Sequence, residues 1–588
     1  MKKLVSLLLT FVMILGMLTV FAGCGAPKDD GAEINIYLGS EVFDFDPSDY
    51  YVSSNAERVL SLIYEPLFTV NENGKVKCAA AKDYDVDEDD REITIEIRET
   101  YWSDNIPVKA SDFVYTWCER IINPVNPNPA AALFLDIEGV REAIEGNGSI
   151  WDVGIKATEM DEITITYRQG ADYKRILKNL ASIATAPVRQ DAVEVAETYW
   201  SKSSVVTNGP FRVKSYDHDK GTFELARNVG YHQDFTIKDY DNQVRPGLLY
   251  GNFVTFSDSD VTVSYSDIEN KVVFVMAEAS LADRAKYKKK ADTADHTSTY
   301  TYVFNTSHPL FSDVNVRLAL SAAIDRNAII KAITFGKAAN GLIPDVSGGA
   351  NKDFISSGAN MEKARQYLAA ADQNVVNAHK AFTLTIDLDE QSKAIADIVK
   401  TAWEALGFEV TINAVGKTRS ILSDGTDFYD SAIQYLMKDA SYGKVNYDVI
   451  AVDWQTYSTD ALAGLAALTS TLNGMGKEQI DGVPGLGGTV STSKARSNVA
   501  VWSDAKYDQL VLEASASPNK DERARLLAEA EEYLMSKMPV CPLVFNQSFV
   551  FTGSKISKVK FDGLGHLILT DAKLSNYKKY FKPEETED

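Results

Sequence analysis

The chain has 588 residues, 45% of them hydrophobic and 24% charged, with a formal net charge of −23. That length exceeds one ordinary hydrophobic core, so two or three domains are expected, and the composition is that of a soluble globular body. The charge argues against nucleic acid or an anionic membrane surface as a partner, because both carry the same sign.

In chain order, Lys2 and Lys3 precede an uncharged apolar run over 4–21 that ends at Ala22-Gly23-Cys24. This basic, apolar, small order is that of a secretory leader. An uncleaved anchor is the alternative, since about 20 apolar residues can span a bilayer. Both readings put the body outside the cytoplasm, with 25–31 (GAPKDDG) as a polar tether. Ser54-Asn55-Ala56-Glu57 reads as a capping box opening a helix that runs to Tyr64.

The acidic run DYDVDEDD from Asp83 resembles the start of a calcium loop, but Glu88 stands where the turn needs Gly and Thr94 where the bidentate Glu belongs. A solvated loop is expected there. Alternation predicts strands over 34–38, 93–97, 163–167 and 408–412. Asp104-Asn105-Ile106-Pro107 reads as a turn, Ser111 or Asp112 as a helix N-cap, and Phe113, Val114, Trp117 and Ile121 as one helical face ending before Pro124. Two further helices follow, one with Ile395, Ile398, Val399, Ala402 and Leu406 closed by Gly407, the other with Leu526, Ala530, Tyr533 and Leu534 closed by Pro539. Glycines cluster between them over 474–488 in an expected surface loop.

No phosphate loop, H-E-x-x-H, G-x-S-x-G or paired C-x-x-C occurs. Cys78, Cys118 and Cys541 are too few and too far apart for a zinc site or disulfide framework, and Cys118 reads as a buried thiol. His218, His232, His296, His308, His379 and His566 are scattered, with no pair at metal-ligand spacing. The expectation is a protein without catalytic residues, metal or cofactor.

The segment 101–124, YWSDNIPVKASDFVYTWCERIINP, resembles a signature of the peptide/nickel class of extracellular solute-binding proteins of ABC importers. Other segments follow in that family's order. They are Phe45-Asp46-Pro47, Tyr64-Glu65-Pro66-Leu67, Asn208-Gly209-Pro210-Phe211 with Ala226-Arg227-Asn228 and Tyr231, Phe304-Asn305-Thr306, 313–320 (DVNVRLAL), Ala323-Ile324-Asp325-Arg326, Trp454, and Tyr507-Asp508. Together they extend from about residue 35 to about 550.

The resemblance implies an α/β, periplasmic-binding-protein-like fold of two lobes with an inserted domain. Residues 1–23 would be a lipoprotein signal peptide, cleaved before a lipidated Cys24, and 24–32 a tether. Lobe I would comprise 33–66, 204–304 and 540–588, the inserted domain 67–203, and lobe II 305–539. The implied function is a non-enzymatic receptor, expected to be monomeric, on the outer face of the bacterial cytoplasmic membrane. It would capture oligopeptides between the lobes, close over them, and deliver them to a membrane permease. Other solutes of the class, a nickel chelate, a glycan or an opine-like compound, are alternatives, as is a surface sensor without a permease.

Carried over by position, ligand contacts would come from Trp454, Gln455, Tyr457 and Asp460, with Ser53 bonding the peptide backbone. Relatives place an Asp three residues after the Trp to pair with the peptide's ammonium, whereas this chain has Tyr457. A phenol cannot replace that salt bridge. Asp453, Asp460, or a ligand lacking a free amino terminus would have to account for the difference.

Overall fold

The computed structural model describes residues 32–40, 45–48, 54–124, 128–194, 204–217, 222–228, 230–232, 249–256, 263–350, 352–421, 427–441, 444–470, 472 and 498–576. Cys24 and the leader, Ser53, His218 and the glycine cluster lie outside them. The expected mixed α/β fold is observed. Among the described residues, no helix is long and apolar enough to cross a membrane.

The main sheet takes in β1 (Ala32–Ser40), β6 (Phe211–Asp217), β7 (Thr222–Arg227), β8 (Leu249–Phe256), β9 (Val275–Met276), β10 (Asp292–Phe304), β11 (Ala381–Asp387), β12 (Glu409–Val415), β13 (Val449–Gln455) and β14 (Val540–Thr552). Their order is β12-β11-β13-β10-β14-β9-β1-β8-β7-β6, with the short strand Lys337–Ala338 added on β14. β10 and β14 carry 13 residues each, about 43 Å of extended chain, and are the antiparallel pair that joins the two halves of this sheet. Their ladder breaks between Asp295 and Thr299.

A second sheet, in the order β2 (Ala81–Asp87), β3 (Glu92–Ile97), β5 (Glu162–Thr166), β4 (Ile155–Ala157), shows the predicted alternation most clearly. Ile93, Ile95, Ile163 and Ile165 are fully buried and pair across the strands. The acidic run is a correction. Asp83, Asp85 and Asp87 belong to edge strand β2, not to a loop; the strand pairs along one edge only, and Lys82 and Tyr84 on its other face are exposed as well.

The segments that carry the family resemblance turn out to be structural joints. Trp102 and Trp117 are fully buried, their indole N–H groups donating to Asp112 Oδ2 at 3.0 Å and the Thr185 carbonyl at 2.8 Å. Lys109, not Ser111 or Asp112, is the N-cap of helix α2 (Ala110–Tyr115), and Asp112 is its third residue, accepting from the Lys109 N–H at 3.0 Å. Asn208 bonds both the N–H and the carbonyl of Glu65, and a Cβ on Gly209 would fall 2.5 Å from the Ile63 backbone, so only glycine fits. Arg317 donates to the carbonyls of Phe311, Lys537 and Met538, and burial lowers its guanidinium to about 10. Arg326, equally enclosed, bonds the carbonyls of Pro542, Ser321 and Ser356.

The two later helices form α3 (Glu390–Glu404) and α6 (Lys520–Lys537), and Gly407 adopts φ +97 as the chain leaves α3. Met538, in the left-handed region, closes α6 before Pro539. Cys118 is buried, as the apolar helix face implied, and burial pushes its thiol up to about 12.

Candidate ligand-binding site

β13 delivers Trp454 and Gln455 to the point where the β10–β14 ladder is interrupted. Antiparallel register sets Gln455 opposite Ser298, Trp454 opposite Thr299 and Asp453 opposite Tyr300. Alternation along the strand then turns Trp454 one way and Asp453 and Gln455 the other. Trp454 is 6% exposed, and its indole N–H donates to the Gly464 carbonyl at 2.9 Å, anchoring the strand to helix α4 (Leu462–Ala466).

Beyond β13 the backbone turns sharply. Thr456 bonds the Thr297 carbonyl through both its N–H, at 2.9 Å, and its hydroxyl, at 2.6 Å. Tyr457 then takes φ +60, a conformation a bulky side chain adopts only when its surroundings compel it. Its neighbours supply that compulsion, for the Ser458 hydroxyl bonds Asn179 Oδ1 at 2.7 Å and Thr456 bonds the hydroxyl of Ser347. The 339–350 strap carrying Ser347 is held by Glu531 of α6, which accepts from the N–H groups of Leu342 at 2.8 Å and Ile343 at 2.9 Å. Burial pushes the Glu531 carboxyl up to about 7 despite those bonds.

Asp460 has a partner of its own. Arg523 of α6 grips it with two bonds of 2.7 and 2.8 Å, and the Leu462 N–H adds a third. Burial would raise this carboxyl, but Arg523 and then Arg175 lower it below the usual range. Asp453 accepts from Asn546 Nδ2 at 2.8 Å. Nearby, Asp387 at the end of β11 keeps solvent contact, yet crowding by the surrounding walls pushes its carboxyl up to about 7, with Asp389 and Asp453 adding to the rise. An open polar cavity of about 360 Å³, lined by Asn305, Thr383, Thr385, Asn413 and Tyr447, opens at the opposite end of β13, away from Trp454 and Gln455.

The largest departure from the sequence reading is a buried polar cluster. Glu57, on helix α1 (Ser54–Ile63), presents its carboxylate to His296 Nε2 at 3.0 Å and to His566 Nε2 at 3.5 Å, while Gln455 Nε2 donates to it at 3.2 Å. His296 Nδ1 meets the Ser298 hydroxyl at 2.8 Å and His566 Nδ1 meets Asp562 at 3.0 Å. Burial by itself would raise Glu57, but the two histidines more than offset this and hold it well below the carboxylate range. Burial would lower His566, yet Asp562 and Glu57 push it up to about 10. Two of the histidines scattered in sequence, His296 and His566, therefore meet in space. The Glu57 that read as a capping residue is a member of this network, and Gln455 is the one expected ligand contact that touches it.

The family described as "Bacterial extracellular solute-binding proteins, family 5 Middle" matches residues 75–476. The chain is 24% identical over 583 residues to the dipeptide-binding protein DppE of Bacillus subtilis, covering 95% of this chain and 97% of that protein. It is 25% identical over 529 residues to the periplasmic oligopeptide-binding protein OppA of Escherichia coli, covering 86% of each. Among solved structures, Haemophilus influenzae OppA in complex with RPPGFSPFR superposes with a TM-score of 0.72 at 20% identity, over 93% of this chain and 99% of that one. The two-lobed binding-protein fold is thus shared along nearly the whole length, and the chain belongs to family 5 of the bacterial extracellular solute-binding proteins.

Proposed function

We propose that the chain is the substrate-binding lipoprotein of an ABC importer, which captures oligopeptides between two lobes and passes them to a membrane permease. In this proposal the lobes take the boundaries given in the sequence analysis, with 67–203 inserted, and Cys24 carries the lipid. The observation that carries this reading is the junction at the end of β13, where Trp454, Gln455 and left-handed Tyr457 sit against the break in the β10–β14 ladder. An aromatic ring fixed by a backbone bond, next to an amide held by a buried carboxylate, suits a ligand recognised through its main chain, and full-length kinship with peptide-binding proteins supports peptide as that ligand. Closure is driven by whatever affinity the ligand has for the shut form alone.

The pairing of Asp460 with Arg523, together with neutral Tyr457, favours one second reading: a ligand without a free amino terminus. Mass spectrometry of what is released by denaturing natively purified protein distinguishes the two, with thermal shift against the recovered compounds. A ligand at 100 times its dissociation constant adds about 2.7 kcal/mol of stability. A set of short peptides that raises the melting temperature supports the peptide reading, and one discrete non-peptide compound refutes it.

A further inference from the structure

The Glu57, His296 and His566 side chains meet from three distant stretches of chain, and their donor atoms lie within 4.8 Å of one another. Each residue is at least nine-tenths buried, at 1%, 4% and 6% exposure. The two contacts of 3.0 and 3.5 Å between carboxylate oxygen and imidazole Nε2 bracket about 3.3 Å, the edge of a tetrahedron around a metal whose ligand bonds are about 2.0–2.1 Å long.

The outer partners fit as well. Asp562 takes the Nδ1–H of His566, and the Ser298 hydroxyl, itself accepting from Asn546, is placed to take that of His296. With a proton on each Nδ1, both Nε2 atoms face the Glu57 carboxylate, and the position among the three can be filled by Nε2 protons or, once these are displaced, by a cation. A carboxylate or hydroxyl behind each imidazole is the arrangement that orients histidines toward a metal. Of these converging atoms His566 Nε2 has no hydrogen-bond partner, and one further buried atom beside them, Gln455 Oε1, has none either. The Gln455 amide already reaches Glu57, and turning it over would offer its oxygen as a fourth donor.

We propose that Glu57, His296 and His566 form a binding site for one divalent transition-metal ion, with Gln455 completing the coordination. Two imidazoles and one carboxylate select a borderline cation such as Zn²⁺, Co²⁺ or Ni²⁺ over Ca²⁺ or Mg²⁺, which require mostly oxygen ligands. The ion would tie helix α1 to β10, to the C-terminal segment and to the last residue of β13, beside Trp454. Gln455 is shared with the candidate solute site, but Glu57, His296 and His566 are not, so the metal site does not depend on whether the solute is a peptide.

The test is titration of the EDTA-stripped full chain with CoCl2, followed by visible absorption, with ZnCl2 as competitor. One equivalent should bind with the intense d–d bands of a low-coordinate site and be displaced by Zn²⁺. His296→Asn and Glu57→Gln should each weaken binding at least tenfold. Asp562→Asn, which leaves all three ligands in place, should weaken it about tenfold through the orientation of His566. Asp562 stands behind the ligands, so this variant serves if the ligand variants do not fold. Failure of the wild-type chain to take up one equivalent would mean that protons alone occupy the cluster, overturning the proposal. Binding unchanged in the folded variants would place the metal on surface carboxylates and overturn it equally.

Discussion

Glu531→Gln isolates one buried carboxyl that is bonded to the strap beside the candidate ligand-binding site. The carboxyl holds the strap at Leu342 and Ile343, and the Leu342 carbonyl accepts from the Thr299 hydroxyl at 2.7 Å, directly across from Trp454. Its ordinary value of 4.5 rises to about 7 in the folded protein. Below pH 4.5 both folded and unfolded chains keep the proton. Between 4.5 and 7 the unfolded chain has lost it and the folded chain has not, so folding stability falls as pH rises through that window and levels off above it. At about 1.4 kcal/mol per pH unit the loss is about 3 kcal/mol. Glutamine keeps a neutral acceptor for the two N–H groups and does not titrate. The stability of the variant relative to wild type should therefore rise by about 3 kcal/mol between pH 4.5 and 7.5, measured from guanidinium unfolding midpoints at a series of pH values. Parallel pH curves for the two proteins would show that Glu531 is ionised in the fold and would refute the reasoning.

Trp454→Ala should weaken ligand binding by more than about 1 kcal/mol in calorimetry while the ligand-free protein stays folded, as for loss of a buried aromatic anchor; unchanged affinity removes Trp454 from the site. Arg523→Ala removes the bidentate partner of the part-buried Asp460 carboxylate, leaving only the more distant Arg175, and should cost about 3 kcal/mol in chemical denaturation, with a loss below about 1 kcal/mol showing that Arg175 and solvent already screen it. N-acetylation of a bound peptide should cost less than about 1 kcal/mol by competition binding, because Tyr457 is uncharged and Asp460 is engaged by Arg523. A larger penalty would assign the ammonium to another carboxylate, Asp453 being the one on the same strand.

Periodic burial was readable from the chain alone. Ile93, Ile95, Ile163 and Ile165 alternate because one face of a sheet meets the core, and the apolar faces of α3 and α6 repeat with the helical turn. The site was legible only in part. Motif order proposed Trp454 and Gln455 as contacts, but nothing local to Asp460 shows that Arg523 will occupy it, since the two meet only when α6 packs. The Glu57 cluster had little local signal, because its members come from three segments hundreds of residues apart. A histidine two residues before Ser298 and another four after Asp562 were the available hints, each pairing an imidazole with a short polar side chain that fixes its orientation. Exposed Asp83, Asp85 and Asp87 misled in the other direction, since an edge strand with its outward face in water has the composition of a loop.

That edge strand has a consequence for cargo handling. An exposed sheet margin offers a row of unpaired amides and carbonyls, and an extended peptide is the natural guest for such a row. A receptor for extended peptides would lose selectivity, and would titrate out its own substrate, if passing chains could zip onto its flank. The exposed carboxylates of Asp83, Asp85, Asp87, Glu88, Asp89 and Asp90 along and just beyond β2 line this margin with negative charge. They make the outer rim of the protein a poor template for strand addition.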